Sequence, residues 1–471
     1  MKLSSLKKNA IMNMIFTITN MAFPLITYPY VTRILHATAI GKVLFFSSIS
    51  NYAVIIASLG ITTYGIRVVA SVRDNKVQLS KLSTELLLIN IVMALFVVIF
   101  IVLTIPFVKQ FNKELPLLII NMLLVITSPF GLTWLFSGLE QYSYIAKRNL
   151  IFKTISLIMV FIFVKKESDY TIYAMIIVFA VISSNLCNFC HSQKFVNFKL
   201  SKDLRFKYHL KPSLCLFVSL LAVSVYTCLD TIMLGLICGN DSVGYYSVAS
   251  KIKWILLSVI NAISAVLLPR LSNYLINKEE KKYNEVLRKS FSFIFILTIP
   301  LSLYFCLQAK DCIILLGGSS YTPSISCMQI LMPILVFSGF SNITGNQILI
   351  PFGRDSYFMK AVIIGAVVDV ILNCIFMPLL KEDGAALATL FAELTQMLFQ
   401  IHYCKKEILQ NIEVKIIIKV FIAVFISVTA TVYLKTIIDI NLIANLVITF
   451  VCFFSLYLFM LLIMKKVSLY S

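Results

Sequence analysis

The sequence predicts an all-α polytopic membrane protein with about fourteen transmembrane helices. Of its 471 residues, 59% are hydrophobic and only 13% are charged, whereas soluble domains are nearer half apolar and a quarter charged. The mean hydropathy is +0.93. Apolar runs recur along the whole chain, and each is long enough to cross a hydrocarbon core about 30 Å thick. No polar stretch is long enough to form a separate soluble domain.

Fourteen spans fit these runs, and an even number places both termini on one side of the membrane. The predicted inner segments hold most of the 41 Lys and Arg residues, which predicts cytoplasmic termini. The same bias accounts for most of the +20 net charge, so no nucleic-acid partner is expected. The spans, numbered 1 to 14 in order, are 11–32, 43–66, 84–108, 115–137, 144–164, 170–191, 212–238, 245–268, 290–309, 325–350, 359–380, 384–404, 416–434 and 441–464.

The lengths of the inner segments predict how the spans are grouped. A basic segment near the middle of the chain indicates a connector between two six-helix lobes. The predicted domains are an N-lobe at 1–193 with spans 1–6, a cytoplasmic connector at 194–211, a C-lobe at 212–404 with spans 7–12, and two extra helices at 405–471.

An internal repeat supports this grouping. A shift of 203 residues lays the stretch from 28 to 67 over a second-half segment and places Gly41 on Gly244. A shift of 215 lays GLEQY, which starts at Gly138, over GRDSY, which starts at Gly353. Many transporters are built from such repeats, with the substrate site between the halves.

No arrangement of residues typical of an enzyme is found. The four histidines lie far apart without metal-ligand spacing, and no glycine-rich phosphate loop is present. The segment CNFCH, from Cys187 to His191, matches the c-type haem pattern. It falls at the predicted cytoplasmic end of span 6, however, whereas haem attachment takes place outside. We therefore expect no catalytic residue, no metal site and no cofactor.

Ionisable residues inside predicted spans are the candidate site residues. A charge near the bilayer centre is costly, so it usually faces the protein interior or water. Asp230 lies in the middle of span 7 and Lys251 lies early in span 8, and for both we favour a water-filled cavity. Asp369 is central in span 11, and Glu393 lies in span 12. For each, the alternative is a buried ion pair that only positions helices, or a side chain that reaches an interface.

Two further basic residues have equally plain structural explanations. Lys253 is two residues from Lys251 and therefore lies on a different helix face, where it could extend to the membrane interface. Arg33 lies near the outer end of span 1 and could anchor that helix at lipid headgroups.

Several motifs resemble one membrane family. YPYVTRIL, from Tyr28, followed by Gly41, resembles the first-helix signature of the bacterial polysaccharide-repeat-unit flippases of the Wzx type. Their superfamily also holds the multidrug and toxic-compound (MATE) extruders and the lipid II flippases. WLFSGLEQYSYIAKRN, from Trp134, resembles the family's loop between helices 4 and 5, and LDTIMLG with VGYYSVASKIK is similar to its helix 7 to helix 8 hairpin. The family commonly has a glycine after Arg-x-Leu, where this chain has His36.

The resemblance implies two lobes around a central cavity that opens alternately to each side. The cargo would be an oligosaccharide on undecaprenyl pyrophosphate, moved across the bacterial cell membrane for capsule, O-antigen or exopolysaccharide synthesis. In related flippases a basic residue in helix 8 and charges near helix 1 line the cavity, and the resemblance implies those roles for Lys251 and Arg33. The predicted substrate-binding residues are Lys251, Arg33, Asp230 and Lys253, and those predicted for ion coupling are Asp230, Asp369 and Glu393.

Three other functions remain open at this point, one of which is a non-transporting scaffold for a glycan-assembly complex. A cation-coupled multidrug exporter would share the fold. A membrane polysaccharide polymerase would need a catalytic surface outside, usually on a long loop, and the predicted outer turns are short. The expected partners are the lipid-linked oligosaccharide, membrane lipid, a polysaccharide polymerase and chain-length proteins.

Overall fold

The protein is helical throughout the part of the chain that the structure describes. The computed structural model describes residues 3–199, 204–224, 228–437 and 441–467. These residues form α-helices joined by short 3-10, π and irregular turns, with no β-strand among them. The chain divides into two units, Met1–Gly244 and Tyr245–Ser471. The predicted all-α polytopic fold is confirmed, whereas the predicted division into lobes stays a prediction.

The first unit contains the helices that correspond to spans 1 to 7. Its described α-helices are α1 (Leu3–Ser58), α2 (Ile61–Val72), α3 (Lys76–Thr104), α4 (Lys109–Lys113), α5 (Leu115–Thr127), α6 (Thr133–Gly138), α7 (Tyr142–Phe163), α8 (Tyr170–Ser192), α9 (Phe206–Ser224) and α10 (Asp230–Ile237). At the end of this unit begins α11 (Asn240–Ile276), which continues into the second unit.

The second unit contains the remaining spans. After α11 its described α-helices are α12 (Glu280–Leu307), α13 (Ala309–Gly317), α14 (Ser324–Leu331), α15 (Ile334–Asn342), α16 (Asp355–Asn411), α17 (Val414–Ile437) and α18 (Leu442–Val467). A π-helical turn, Ile343–Leu349, follows α15 within the region of span 10.

Each predicted span has a helical counterpart, although two pairs of spans are less separate than the sequence suggests. Spans 1 and 2 are the two parts of α1, which breaks at His36, and spans 11 and 12 are the two parts of α16, which breaks at Lys381. Nine helical stretches in the described residues are long and apolar enough to cross a membrane. Residues 225–227 of span 7 lie outside the described residues.

The break in α1 has a counterpart in the second copy of the repeat. His36 has φ 58° and ψ −180°, a combination that is essentially restricted to glycine. The residue 203 positions later is Gly239, which lies between α10 and α11 with φ 97°. Both copies therefore place a left-handed residue at the same point. The glycine that is missing from the first copy is present in the second.

These two turns pack against each other through a second pair of equivalent glycines. A Cβ on Gly41 would overlap the carbonyl oxygen of Asn240, and a Cβ on Gly244 would overlap the carbonyl oxygen of Ala37. Ala37 and Asn240 are themselves 203 residues apart. Reciprocal contact between equivalent residues is the pattern that a two-fold axis produces.

A second repeated turn corrects the sequence overlay of GLEQY on GRDSY. Glu140 has φ 58° and Gly353 has φ 68°. In each case the next residue donates a backbone hydrogen bond of 2.8 Å to a carbonyl five positions earlier, from Gln141 to Phe136 and from Arg354 to Leu349. This helix-ending geometry favours glycine. The backbone therefore makes Glu140 the equivalent of Gly353, whereas the sequence alignment had paired Gly353 with Gly138, two residues earlier.

The two extra helices pack on α12. The buried side chains of α17 and α18 form one apolar cluster with those of α12. Tyr457 on α18 donates a hydrogen bond of 2.8 Å to the carbonyl of Ile296, and Tyr304 on α12 donates one of 3.1 Å to the carbonyl of Leu446. Each tyrosine thereby anchors one helix to the backbone of the other.

Candidate functional site: a polar cavity in the first unit

A cavity of about 500 Å³ in the first unit is lined by uncharged polar side chains interspersed with apolar ones. It lies towards the predicted cytoplasmic ends of spans 2, 3, 4 and 6. Among the described residues that line it there is no Asp, Glu, Lys or Arg. We call it the polar cavity. Its polar lining consists of Asn51, Ser58, Thr62, Thr63, Asn90, Ser128, Thr133, Ser137 and Asn185.

One wall of the polar cavity is formed where the fourth span departs from a regular α-helix. After α5 ends at Thr127, a 3-10 turn, Ser128–Gly131, precedes α6. Asn185 on α8 donates a hydrogen bond of 3.3 Å to the carbonyl of Thr127, and Asn188 donates one to the carbonyl of Gly131. A helix break at membrane depth needs such partners, because the freed carbonyls have no water to bind.

The second unit has a comparable break. The π-helical turn Ile343–Leu349 lies where span 10 should continue. Gln400 accepts a hydrogen bond of 2.6 Å from the Thr344 hydroxyl. Gln400 lies 215 residues after Asn185, within two residues of the 213 offset at which the turns of Glu140 and Gly353 correspond. In each unit, therefore, an amide side chain from the last helix of the repeat lies beside an irregular stretch.

The polar groups of the cavity are arranged to accept as well as to donate hydrogen bonds. The Ser58 hydroxyl donates to the carbonyl of Ile55 and the Ser128 hydroxyl donates to that of Val125, both at 2.8 Å. Hydroxyls engaged in this way keep lone pairs that can accept. Asn90 is only 6% exposed, and its Oδ1 accepts no hydrogen bond from the described residues. A ligand with several hydroxyl groups would satisfy these acceptors.

Trp134 adds an apolar surface to the polar cavity. Its indole is buried, and a Cβ on Gly65 would lie 2.9 Å from the ring. Gly65 therefore allows α2 to approach the indole closely. Trp134 is the first residue of the WLFSG motif of the sequence. The motif therefore contributes to the lining of the cavity.

Two of the predicted substrate-binding residues lie elsewhere in the first unit. Arg33 is an exposed residue of α1, just before the break at His36. Asp230 is 3% exposed and is the first residue of α10. Neither residue is among those that line the polar cavity. Their assignment to substrate binding stays a prediction.

The two lysines of α11 differ in burial. Lys253 is 3% exposed, whereas Lys251 is half-buried. The Lys253 ammonium lies 5.4 Å from the centre of the Trp254 ring, and its charge interacts with that of Glu393 on α16. Lys253 is thus buried rather than extended to an interface, because an aromatic ring and an acid lie near its charge.

The predicted coupling carboxylates of the second unit both lie on α16. Asp369 is fully buried in the first part of this helix, and Asn373, one turn further on the same face, is fully buried as well. Glu393 is half-buried in the second part. The burial of Asp369 suits a group that binds a cation, and its role in ion coupling stays a prediction.

A buried network that sequence reasoning missed connects α2, α3 and α9. The Tyr64 hydroxyl lies 2.9 Å from His209 Nδ1, and His209 Nε2 lies 2.8 Å from Glu85 Oε2. Glu85 Oε1 also accepts the backbone N–H of Arg205 at 2.6 Å. This contact lies at the start of α9, which begins at Phe206 rather than at the predicted 212. The feature of the sequence that could have indicated this network is an acidic residue, Glu85, inside an apolar span.

Comparison with known proteins places the chain in a family. A sequence model of the family described as polysaccharide biosynthesis protein matches residues 6–275, and one described as MatE matches residues 216–375. A relative from Escherichia coli (strain K12), named as a candidate O-antigen transporter, is 25% identical over 402 residues, 83% of this chain and 94% of its own. A relative of the same description from Shigella dysenteriae is 27% identical over 415 residues, 85% of this chain and 100% of its own.

Solved structures share the fold. The lipid II flippase MurJ in an inward closed conformation matches with a TM-score of 0.79 at 15% identity, over 97% of this chain and 100% of MurJ. An inward-facing multidrug resistance MATE family transporter matches with a TM-score of 0.66 at 16% identity, over 83% of this chain and 94% of the transporter. The protein thus has the multi-pass fold of these transporters. Since the first family model covers more than half of the sequence, the chain belongs to the polysaccharide biosynthesis protein family.

Proposed function

We propose that this protein is a flippase that moves undecaprenyl-pyrophosphate-linked oligosaccharide repeat units across the cytoplasmic membrane by alternating access. The product would serve capsule, O-antigen or exopolysaccharide synthesis. Family membership supports this proposal, as do the two candidate O-antigen transporters that align over nearly their whole length. The fold shared with a lipid II flippase is compatible with a lipid-linked cargo.

The polar cavity is the observation that carries the proposal. Sugar hydroxyls donate and accept hydrogen bonds without charge, and the cavity presents hydroxyl and amide groups without a charged side chain. Its position near the predicted cytoplasmic ends of the spans is where a cargo made inside the cell would be loaded. We assign the sugar part of the cargo to this cavity.

The pyrophosphate and the driving ion need charged groups, which the predicted residues supply. A pyrophosphate is recognised by Lys and Arg side chains, and Lys251 and Arg33 are the residues we propose for this role. Lys253 and Asp230 are the other members of the proposed substrate-binding set. Coupling to an ion gradient is assigned to Asp230 together with the carboxylates of α16.

The cellular setting follows from the same proposal. The protein would lie in the bacterial cell membrane with both termini in the cytoplasm, as the distribution of its basic residues indicates. The two proposed lobes are 1–193 and 212–404, with a connector at 194–211 and the last two helices at 405–471. Its substrate partners are the lipid-linked oligosaccharide and membrane lipid, and a polymerase and chain-length proteins would use its product.

A multidrug exporter is the main competing function, because the MatE model matches residues 216–375. Organic cations are usually held by acidic side chains, and the described lining of the polar cavity includes none. The cavity therefore favours a neutral cargo over an organic cation.

Deletion of the gene, followed by analysis of lipid-linked intermediates, tests the function. Repeat units should accumulate on the inner leaflet of the membrane. Normal translocation combined with short glycan chains would point to a polymerase instead. Normal glycan with increased drug sensitivity would point to a multidrug exporter.

The polar cavity is tested by replacing Asn90 in the complemented deletion strain. Asn90→Leu should lower glycan export while leaving protein abundance unchanged, since it removes a buried acceptor that has no partner in the described structure. Asn121→Leu is the matched control, because Asn121 is equally buried but does not line the cavity. Equal export by wild type and Asn90→Leu would remove the cavity from the proposal.

A further inference from the structure

A buried arginine without an acidic partner lies near the start of α7. Arg148 is 9% exposed, and its Nε and Nη1 atoms are buried and donate no hydrogen bond to any described residue. An arginine remains charged in proteins. Leaving charged donors without acceptors costs more than leaving neutral ones. The structure thus contains a buried cation that an anion from outside the chain would stabilise.

Arg148 lines a cavity of about 620 Å³ beside α7 and α8, which we call the Arg148 pocket. Lys147 and Lys194 line it too, and the lining described by the structure includes no acidic side chain. Tyr144 lies against the guanidinium, with 5.9 Å between the Arg148 Cζ and the ring centre. The same ring stacks on His191 at 4.1 Å and 12°. Three basic side chains and one aromatic ring therefore contribute to the lining of a mostly apolar space.

The remaining wall of the Arg148 pocket is apolar and continues onto the protein surface. Ile151 on α7 and Leu186 on α8 line the pocket and are 56% and 49% exposed. Further exposed apolar side chains follow along both helices away from the cations: Ile155, Ile158 and Ile162 on α7, and Met175 and Phe179 on α8. A cationic group above exposed apolar helix faces matches a lipid, with the phosphate at one end and the acyl chains along the helices.

The CNFCH segment contributes to this pocket. Cys187, Cys190 and His191 all line it, and the carbonyl of Cys187 accepts a hydrogen bond of 3.1 Å from the Tyr144 hydroxyl. That bond, with the stacking on His191, holds the tyrosine ring beside Arg148. The segment that resembled a haem motif thus forms part of the wall of an anion pocket.

We propose that the Arg148 pocket binds the phosphate of an anionic phospholipid of the inner leaflet. The guanidinium of Arg148 would pair its charge with the phosphate in a charge-assisted contact. Lys147 and Lys194 would add the charge that distinguishes an anionic headgroup from a zwitterionic one. Basic pockets on the cytoplasmic side of membrane proteins bind such headgroups. This site does not depend on the identity of the transported cargo.

Thermal unfolding in lipid nanodiscs tests the site with the full-length protein. Wild type and Arg148→Gln are compared in phosphatidylcholine alone and in phosphatidylcholine with phosphatidylglycerol. Phosphatidylglycerol should raise the Tm of the wild type, and the rise should be at least halved in Arg148→Gln. In phosphatidylcholine alone, Arg148→Gln should unfold at the same or a higher temperature, because it removes a buried unpaired charge. Arg148→Lys, which keeps the charge, should retain most of the rise.

Lys76→Gln is the charge-matched control, since Lys76 is an exposed lysine on the same predicted side and does not line the Arg148 pocket. Phosphatidylglycerol should raise the Tm of Lys76→Gln by as much as that of the wild type. If the rise in Tm is reduced as much in Lys76→Gln as in Arg148→Gln, the lipid is attracted by surface charge in general, which would overturn the proposal. A full gain by Arg148→Gln, or instability of this variant in phosphatidylcholine, would overturn it too. Stabilisation by undecaprenyl pyrophosphate but not by phosphatidylglycerol would reassign the anion to the cargo and refute the phospholipid site.

Discussion

Gly41 and Gly244 occupy the same place in the two copies of the repeat, and they lie against each other. A Cβ on Gly41 would lie 3.0 Å from the backbone nitrogen of Gly244. Beside them, the Thr38 hydroxyl donates a hydrogen bond to Asp241, which is its own equivalent 203 residues later. A local two-fold relation therefore connects the two turns.

Replacing either glycine should destabilise the protein. The Cβ of Gly41→Ala would overlap the backbone carbonyl of Asn240, and a backbone atom cannot move aside as a flexible side chain does. We expect a loss of at least about 3 kcal/mol, at the upper end for overpacked sites, measured as the free energy of unfolding of the purified protein. Gly239→Ala is the control, because its Cβ would meet nothing within 4 Å. Its free energy of unfolding should fall by only about 1–2 kcal/mol, the cost of a side chain on a left-handed backbone. Equal losses of stability in the two variants would contradict the packing argument.

Changing His36 to glycine should stabilise the protein. The backbone of His36, with φ 58° and ψ −180°, costs about 1–3 kcal/mol for a residue with a side chain. His36→Gly should recover about 1 kcal/mol of this, measured as a rise in Tm. His402→Gly, at an exposed position in the regular part of α16, should lower stability by about 1 kcal/mol. A drop in both variants would show that the break at His36 is unstrained.

The network of Glu85, His209 and Tyr64 should behave as one unit. His209→Ala removes a partner of a carboxylate that is 4% exposed, so we expect a loss of about 3 kcal/mol. Tyr64→Phe removes a single hydroxyl and should lose about 1 kcal/mol. The double variant, Glu85→Ala with His209→Ala, should lose less unfolding free energy than the two single variants lose in sum. Additive losses in unfolding experiments would mean that the observed contacts contribute little.

Lys251 should matter for transport rather than for folding. The residue is half-buried, so its replacement leaves no large void. Lys251→Ala should lower glycan export at normal protein abundance, because a cation proposed for the pyrophosphate is lost. Lys281→Ala, at an exposed position of α12, is the control and should export normally. Unchanged export by Lys251→Ala would remove this lysine from the site.

Asp230 should affect coupling to an ion gradient. Asp230→Asn keeps the size of a side chain that is 3% exposed but removes its charge. If this carboxylate binds the driving ion, transport into vesicles should no longer rise with the imposed gradient. Asp241→Asn, at an exposed acid of the neighbouring turn, should keep that dependence. A normal gradient response in Asp230→Asn would shift the coupling role to Asp369 or Glu393.

The fold class and the repeat could be predicted from the sequence alone. An apolar run long enough to cross about 30 Å of hydrocarbon is a local property, and so is the excess of basic residues in the segments predicted to lie inside. The equivalence of Gly41 and Gly244 also follows from the sequence, which aligns with itself at a shift of 203 residues. The absence of glycine at His36 was also visible, because the family that the chain resembles commonly has a glycine after Arg-x-Leu.

The sites required the tertiary structure. Asn51, Asn90 and Asn185 lie in three separate apolar spans, and no local pattern shows that they share one cavity. From the sequence alone, a basic residue such as Arg148 is interpreted as a topology anchor, and only the packing shows that it is buried with no acidic partner among the described residues. Hydropathy depends on the residue itself, whereas burial and hydrogen-bond partners depend on neighbours far away in the chain. For this reason the membrane fold could be derived from the sequence, and the polar cavity and the Arg148 pocket could not.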